Sequence, residues 1–251
     1  MQSVSVSDVL DARVKARAER NGKNWEELDA IARDAERREY IQCISAKNSE
    51  IAKKRAEDEE RAKRYQREES IRIEKMRFEM KVPPRYRGAK ISDFNEGNPI
   101  PKHVLNGGSA LLLGNPGVGK THMLWAIAVA LLDAGEKSDS IEIVNLLDLL
   151  ADVKENGGDN WPRYTKKRYG KIQHLFIDEL DKTNGSSCDY SIISDLVSFR
   201  YNSMLPTVIA GNGDLNLAVD MLGPAVFSRI TGTADGGAFY PISGEDKRRR
   251  R

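Results

Sequence analysis

The chain has 251 residues, 40 Lys and Arg against 38 Asp and Glu, and 39% hydrophobic residues. That length holds one ordinary domain plus an extension, or two small domains, and the apolar share suffices for one sizeable core. The charges nearly cancel, so bulk electrostatics gives no reason to expect nucleic-acid binding, and any basic surface must come from local clustering. Cys43 and Cys188 are too few and too far apart for a zinc ligand set or a disulfide framework; they read as reduced thiols of a cytoplasmic protein. No signal-peptide core precedes Asp8. The longest apolar run, residues 124–132, is far too short to cross a bilayer, so no membrane partner is expected.

Residues 1–80 carry 19 Lys/Arg and 18 Asp/Glu, one glycine and no proline, a composition that supports helices rather than strands. A first helix is predicted over 7–20, capped by Ser7 and broken by Asn21-Gly22. Asn24 can cap a second, with Trp25, Leu28, Ile31, Ala32 and Ala35 at roughly helical spacing. A third is predicted from about 46 to 81, with Glu59/Lys63, Glu60/Arg64 and Glu68/Arg72 in the favourable i,i+4 order. Its apolar anchors are sparse (Ile51, Tyr65, Ile71, Ile73, Met76, Phe78). It is either a solvated helix held by charge pairs or an arm that docks on a partner. The first two helices carry more apolar surface and are the better candidates for a protein interface. Pro83-Pro84 stops the helix. Lys81, Arg85, Arg87 and Lys90 then form a basic linker, read as a hinge or a phosphate contact. The expected division is a helical partner-binding region over 1–82 and a nucleotide-binding domain over 83–251.

Gly114-Asn115-Pro116-Gly117-Val118-Gly119-Lys120-Thr121 fits G-x-x-x-x-G-K-[ST]. Its glycines let backbone N–H groups approach phosphate oxygens, Lys120 would neutralise the β- and γ-phosphates, and the Thr121 hydroxyl would ligate Mg²⁺. Residues 109–113 read as a buried parallel strand, and a helix from His122 to 134, ended by Gly135, starts at the phosphates with its positive dipole end. Residues 140–145 read as a strand and 146–153 as a helix. Arg163, Lys166, Lys167, Arg168 and Lys171 then interleave with Trp161, Tyr164 and Tyr169. Basic plus aromatic residues suit single-stranded nucleic acid, charges for phosphates and rings for bases; the same pattern also describes an amphipathic surface helix.

Leu175-Phe176-Ile177-Asp178-Glu179 is a buried strand ending in two acids. Asp178 is expected on the Mg²⁺ side, and Glu179 as the base that orients and deprotonates water. A helix is predicted over 190–200, and residues 206–212 form another buried strand ending at Asn212. That places Asn212 beside the acids at the carboxyl edge of a parallel sheet, where ligands bind. A helix over 217–222, ended by Gly223-Pro224, and a strand over 238–242 follow, before the basic tail 247–251.

Several pieces in order carry a family resemblance: Pro-Pro-Arg-Tyr-Arg at 83–87, the glycine-rich loop, Ile-Asp-Glu-Leu at 177–180 and Phe-Arg-Tyr-Asn at 199–202 before Leu-Pro-Thr. Ala-Gly-Asn at 210–212, Met-Leu-Gly at 221–223, Ser-Arg-Ile at 228–230 and Gly-Glu-Asp-Lys-Arg at 244–248 complete the set. Residues 83–248 resemble the DnaC/DnaI-type replicative helicase loaders and the IstB-type transposition ATPases of the AAA+ class. The resemblance implies an α/β fold, a P-loop AAA+ (ASCE) core with a five-stranded parallel sheet flanked by helices, behind the helical N-terminal region and without a C-terminal lid. It implies that Lys120 and Thr121 are Walker A, Asp178 and Glu179 Walker B, Asn212 sensor 1, Arg229 the arginine finger that reaches the neighbour's ATP, and Arg248 the sensor-2 arginine. It also implies Mg²⁺-dependent ATP hydrolysis, a hexameric replicative helicase held by the N-terminal helices, single-stranded DNA as a further partner, and self-association through the Arg229 side. Two alternatives are a transposition regulator on double-stranded DNA and a nucleotide-gated scaffold. No Asn-Lys-x-Asp guanine-reading motif is present, which argues against a GTPase. Departures are the lack of a Cys/His zinc module and Ala-Gly-Asn where Thr-Ser-Asn is usual.

Overall fold

The computed structural model describes residues 6–182 and 186–246. It divides into two compact units, Met1–Gln66 and Arg67–Arg251. The division falls inside one long helix, upstream of the Pro83-Pro84 boundary read from the sequence.

The first unit holds α1 (Val6–Arg20), a 3₁₀ turn (Trp25–Glu27) and the first part of α2 (Ala30–Glu79). The second and third predicted helices are one: between Ala30 and Glu79 the sequence has neither glycine nor proline, so nothing interrupts propagation. Asn24 caps the 3₁₀ turn, accepting from the Glu26 N–H at 3.2 Å, and Asp29 accepts from the Ala32 N–H at 2.8 Å to start α2. Val14 and Ala18 of α1 are buried. Charge pairs link the two helices, Arg37 with Asp11 at 2.5 Å and Arg17 with Glu39 at 2.8 Å, and Lys23 of the connecting turn pairs with the buried Glu36 of α2. Residues 44–66 of α2 are exposed on every side.

In the second unit the end of α2 delivers Phe78 to the core. The remaining elements are α3 (Pro99–Leu105), β1 (Ser109–Gly114), α4 (Lys120–Ala134), β2 (Ile141–Asn145), α5 (Leu146–Gly157), α6 (Trp161–Thr165), β3 (His174–Asp178), α7 (Ser187–Asn202), β4 (Thr207–Gly211), α8 (Leu215–Thr231) and β5 (Gly237–Ile242). The five strands form one parallel sheet in the order β2-β3-β4-β1-β5. Alternate strand residues face opposite cores. Leu112, Phe176, Val208 and Ala210 pack on α4, whereas Leu111, Leu113, Leu175, Ile177 and Ile209 pack under α5, α7 and α8. Helices on both faces explain the unbroken apolar runs. Within α8 the first helical segment ends at Gly223-Pro224, as expected. Gly223 takes φ 74°, the axis kinks, and Pro224, which needs no N–H partner at a helix start, begins a second segment carrying Arg229.

Arg200 of α7 is fully buried with no carboxylate among its hydrogen-bond partners. Its guanidinium donates to Thr207 Oγ1 at 2.8 Å and to the carbonyls of Tyr169, Ile172 and Pro206 at 3.0, 2.6 and 2.5 Å. It therefore ties together the chain entering β3 and the chain entering β4. Burial lowers its pKa to about 10, so it stays charged at neutral pH. Arg200→Met should destabilise the chain by about 3–5 kcal/mol in urea unfolding, because several buried carbonyls lose their donors. Arg200→Lys, without the planar fork, should recover little of that loss.

His174 opens β3 with a buried ring, and burial holds its imidazole below the ordinary value, against the pull of Glu136. As pH falls below about 6.5 the unfolded chain binds this proton first, so stability falls with pH. His174→Gln should flatten the pH dependence of the unfolding midpoint below about pH 6.5 relative to the parent.

Candidate nucleotide-binding site

The site is built where three strands end. Leu113 of β1 pairs with Gly211 of β4, and Ile177 of β3 with Ile209 of β4. The loop after β1, the acids at the end of β3 and Asn212 after β4 therefore emerge side by side. Gly117 and Gly119 turn the loop with φ 84° and 100°. A Cβ at Gly117 would lie 1.8 Å from Asp246 Oδ1, so the segment after β5 packs directly on the loop.

Lys120 begins α4 and is buried. Its Nζ donates to the carbonyls of Gly114 and Asn115, each at 2.9 Å, and to Asn212 Oδ1 at 2.8 Å. Asp178 is also buried, and burial pushes its carboxyl up, opposed by hydrogen bonds from the Thr121 hydroxyl and the Glu179 N–H and by the charge of Lys120. Glu179 has φ 57°, a left-handed conformation that costs a non-glycine residue about 1–2 kcal/mol. Residues held this way concentrate at functional sites.

A cavity of about 410 Å³ is lined by Gly117, Gly119, Lys120, Thr121, His122, Asp178, Glu179 and Asn212. Gly114, Asn115, Pro116 and Val118 do not line it; the first two supply carbonyls to Lys120, and Val118 is buried. Arg229 stands half-buried on α8, within electrostatic reach of Tyr201, and does not line this cavity. Arg248 lies outside the described residues.

The cavity also brings in Arg85, one of the basic-linker residues read as a hinge or a phosphate contact, and Tyr86, Asp93 and Asp181, which sequence reasoning did not assign to the site. Tyr86 stacks on Trp125 at 6.2 Å and 15°, Ala89 is buried, and Lys81 Nζ donates to the Ser138 carbonyl at 3.1 Å. The basic linker, read as a hinge or a phosphate contact, is a docked strap: the aromatic in Pro-Pro-Arg-Tyr-Arg is its anchor. Asp93 Oδ2 meets His122 Nε2 at 2.7 Å; this bond, with the Lys90 N–H, holds the Asp93 carboxyl below its usual range. Asp181 accepts two hydrogen bonds from Asn212, from the backbone N–H at 2.8 Å and Nδ2 at 2.9 Å. Burial would raise its carboxyl, but these bonds outweigh it and keep the group low.

The donor chemistry fits a magnesium nucleotide. A hydroxyl and a carboxylate meet at Thr121 and Asp178, hard oxygens of the kind Mg²⁺ prefers, and the buried acid gains from a cation that favours its charged form.

The interleaved basic stretch behaves differently from its sequence pattern. Tyr169 is buried, and its hydroxyl and that of Tyr164 donate to Asp152 at 2.7 and 2.9 Å. Trp161 is half-buried against the core below α5. These rings are packing elements, not a platform for bases. The chain passes from α6 into a π-helical turn, Lys166–Gly170, with Arg163, Lys167 and Lys171 exposed around it. Among the described residues no helix is long and apolar enough to cross a membrane.

The parallel sheet, the glycine-rich loop and the acids at the end of β3 define a P-loop ATP-binding domain of AAA+ type. The chain belongs to the IstB-like ATP binding protein family, whose model matches residues 101–230. It is similar to the replicative helicase loader DnaC of Escherichia coli K12, 27% identical over 122 residues, 49% of each chain. It is also similar to the ATP-binding protein of insertion sequence IS232 from Bacillus thuringiensis subsp. berliner, 32% identical over 91 residues, 36% of this chain and 35% of that one. The chain thus spans about half the length of the DnaC relatives it matches. The crystal structure of the DnaC helicase loader has the same fold, with a TM-score of 0.52 and 21% identity over 64% of this chain and 100% of that one.

The glycine in Ala-Gly-Asn now has a physical reason. A Cβ at Gly211 would lie 2.7 Å from Leu180 Cβ, so the turn after β3 rests directly on the end of β4. Gly211→Ser should therefore destabilise by about 1–3 kcal/mol in urea unfolding, because Leu180 must move to admit it.

Proposed function

We propose that this protein is an ATP-dependent loader of a replicative DNA helicase, whose second unit binds and hydrolyses ATP and whose first unit holds the helicase. The observation that carries the reading is the convergence of Lys120, Thr121, Asp178, Glu179 and Asn212 on one cavity; likeness to DnaC supplies the biological direction. The Lys120 ammonium would exchange its carbonyl acceptors for phosphate oxygens. Tyr86 and its strap form one wall of the cavity. Glu179 would hold and deprotonate the attacking water, and the Asn212 amide would orient it. Magnesium, held by Thr121 on the Asp178 side, would neutralise charge developing on the phosphates. Arg229 lies off its own chain's cavity, which supports a role in completing a neighbour's site on assembly.

In the first unit, Val9, Leu10, Tyr40, Ile41 and Ile44 line a groove of about 470 Å³ beside Arg13, which supports a protein-docking role for these helices. The exposed Arg163, Lys167 and Lys171 support contact with the phosphates of single-stranded DNA, without stacked bases. A transposition regulator on duplex DNA is the second reading, favoured by likeness to the insertion-sequence ATP-binding protein.

Lys120→Ala should weaken ADP binding by about 10–100-fold in a fluorescent-nucleotide titration, as expected for loss of a charged donor to phosphate. Glu179→Gln should keep that affinity and lower turnover by about 10²–10⁴-fold. Pull-down with the replicative helicase should succeed with the full chain and fail when Val9, Ile41 and Ile44 are changed to Asp. Helicase capture unaffected by those changes would sink the docking assignment; duplex-stimulated ATPase activity without helicase capture would favour the second reading.

A further inference from the structure

Asn212 is expected to present its amide to the reacting end of the nucleotide, yet its side chain is committed elsewhere. Its Oδ1 accepts from Lys120 Nζ at 2.8 Å, and its Nδ2 donates to Asp181 Oδ2 at 2.9 Å. The other Asp181 oxygen accepts from the Asn212 backbone N–H at 2.8 Å. A carboxylate has acceptors only. Asp181 thus takes Nδ2 on one side, and Oδ1 must face the ammonium on the other. The orientation of this amide is dictated by charge at both ends.

Asp181 sits on the 3₁₀ turn Leu180–Lys182, next to Glu179, and the same turn rests on Gly211 through Leu180. The charged groups that line the cavity together with Asn212 are Arg85, Asp93, Lys120, Asp178, Glu179 and Asp181. One line of hydrogen bonds therefore runs from the loop lysine, through Asn212, to the turn that carries Glu179.

We propose that Asp181 is a positioning residue that sets the side-chain orientation of Asn212, and that the Lys120–Asn212–Asp181 line reports the engagement of Lys120 by phosphate to the turn bearing Glu179. This rests on the nucleotide-site reading above and deepens it. When phosphate oxygens take the Lys120 ammonium, Asn212 loses its partner on that side while Asp181 still holds the other. The amide then changes its surroundings on binding, and its attachment to Asp181 decides how it meets the γ-phosphate end.

Three measurements test this. In the nucleotide-free chain, the Asn212 side-chain amide resonance, assigned by its loss in Asn212→Ala, should shift in Asp181→Asn, which offers one acceptor where two donors point. In the unmodified chain the same resonance should move as ADP is added; a stationary signal would overturn the relay, and this arm needs no variant to fold. In turnover, Asp181→Asn should lower kcat by about tenfold or more with ADP affinity changed less than about threefold. The double variant Asp181→Asn/Asn212→Ala should be no slower than Asn212→Ala alone, the non-additivity expected when one residue acts through the other. Multiplying effects, or equal losses in affinity and kcat, would reject the positioning role. A parent chain that binds no nucleotide would instead reject the nucleotide-site reading, and the nucleotide-free resonance would still decide whether Asp181 holds Asn212.

Discussion

The Lys120 ammonium sits buried at the junction of β1 and β4, and the site is arranged around keeping it satisfied. A buried cation without hydrogen-bond acceptors is costly. Here two loop carbonyls and Asn212 Oδ1 supply them. This fixes the loop against the end of β4, and β4 lies between β1 and β3 in the sheet. The Asp178-Glu179 turn is thereby drawn to the same place. Moving β4 would separate the phosphate loop from the acids.

A second buried cation secures the other end of the same strands. Arg200 binds the chain entering β3 and the chain entering β4 through neutral acceptors only. The central strand is thus pinned at its amino end by a guanidinium and at its carboxyl end by an ammonium. Both groups stabilise geometry through several hydrogen bonds to neutral acceptors.

The two units use charge in opposite ways. In the second, Lys120, Asp178 and Arg200 are buried and individually partnered. In the first, charges lie mostly on the surface, and pairs such as Arg37–Asp11 join α1 to α2 around a small apolar contact at Val14 and Ala18. Exposed pairs contribute little each and are screened by salt. A partner that covers the apolar groove would add the burial this hairpin lacks.

Composition, periodicity and motif spacing were enough to determine the five strands, the phosphate loop, the acid pair and Asn212, because each depends on neighbours a few residues away. Buried parallel strands show as short apolar runs, and the loop needs its glycines at fixed offsets. The single long α2 is not legible in the sequence because an unbroken helix has no internal signal to read, whereas the break at Gly223-Pro224 is legible because both residues interrupt a helix locally. Asp181, Arg200, the Tyr86–Trp125 stack and the inward-turned Tyr164 and Tyr169 were decided only by the tertiary structure. Their partners are far away in the chain: Asp181 meets Asn212, and Arg200 meets Tyr169, only once the sheet has set β3 beside β4. Sequence alone specified which chemical groups are present; the sheet order decided which of them touch.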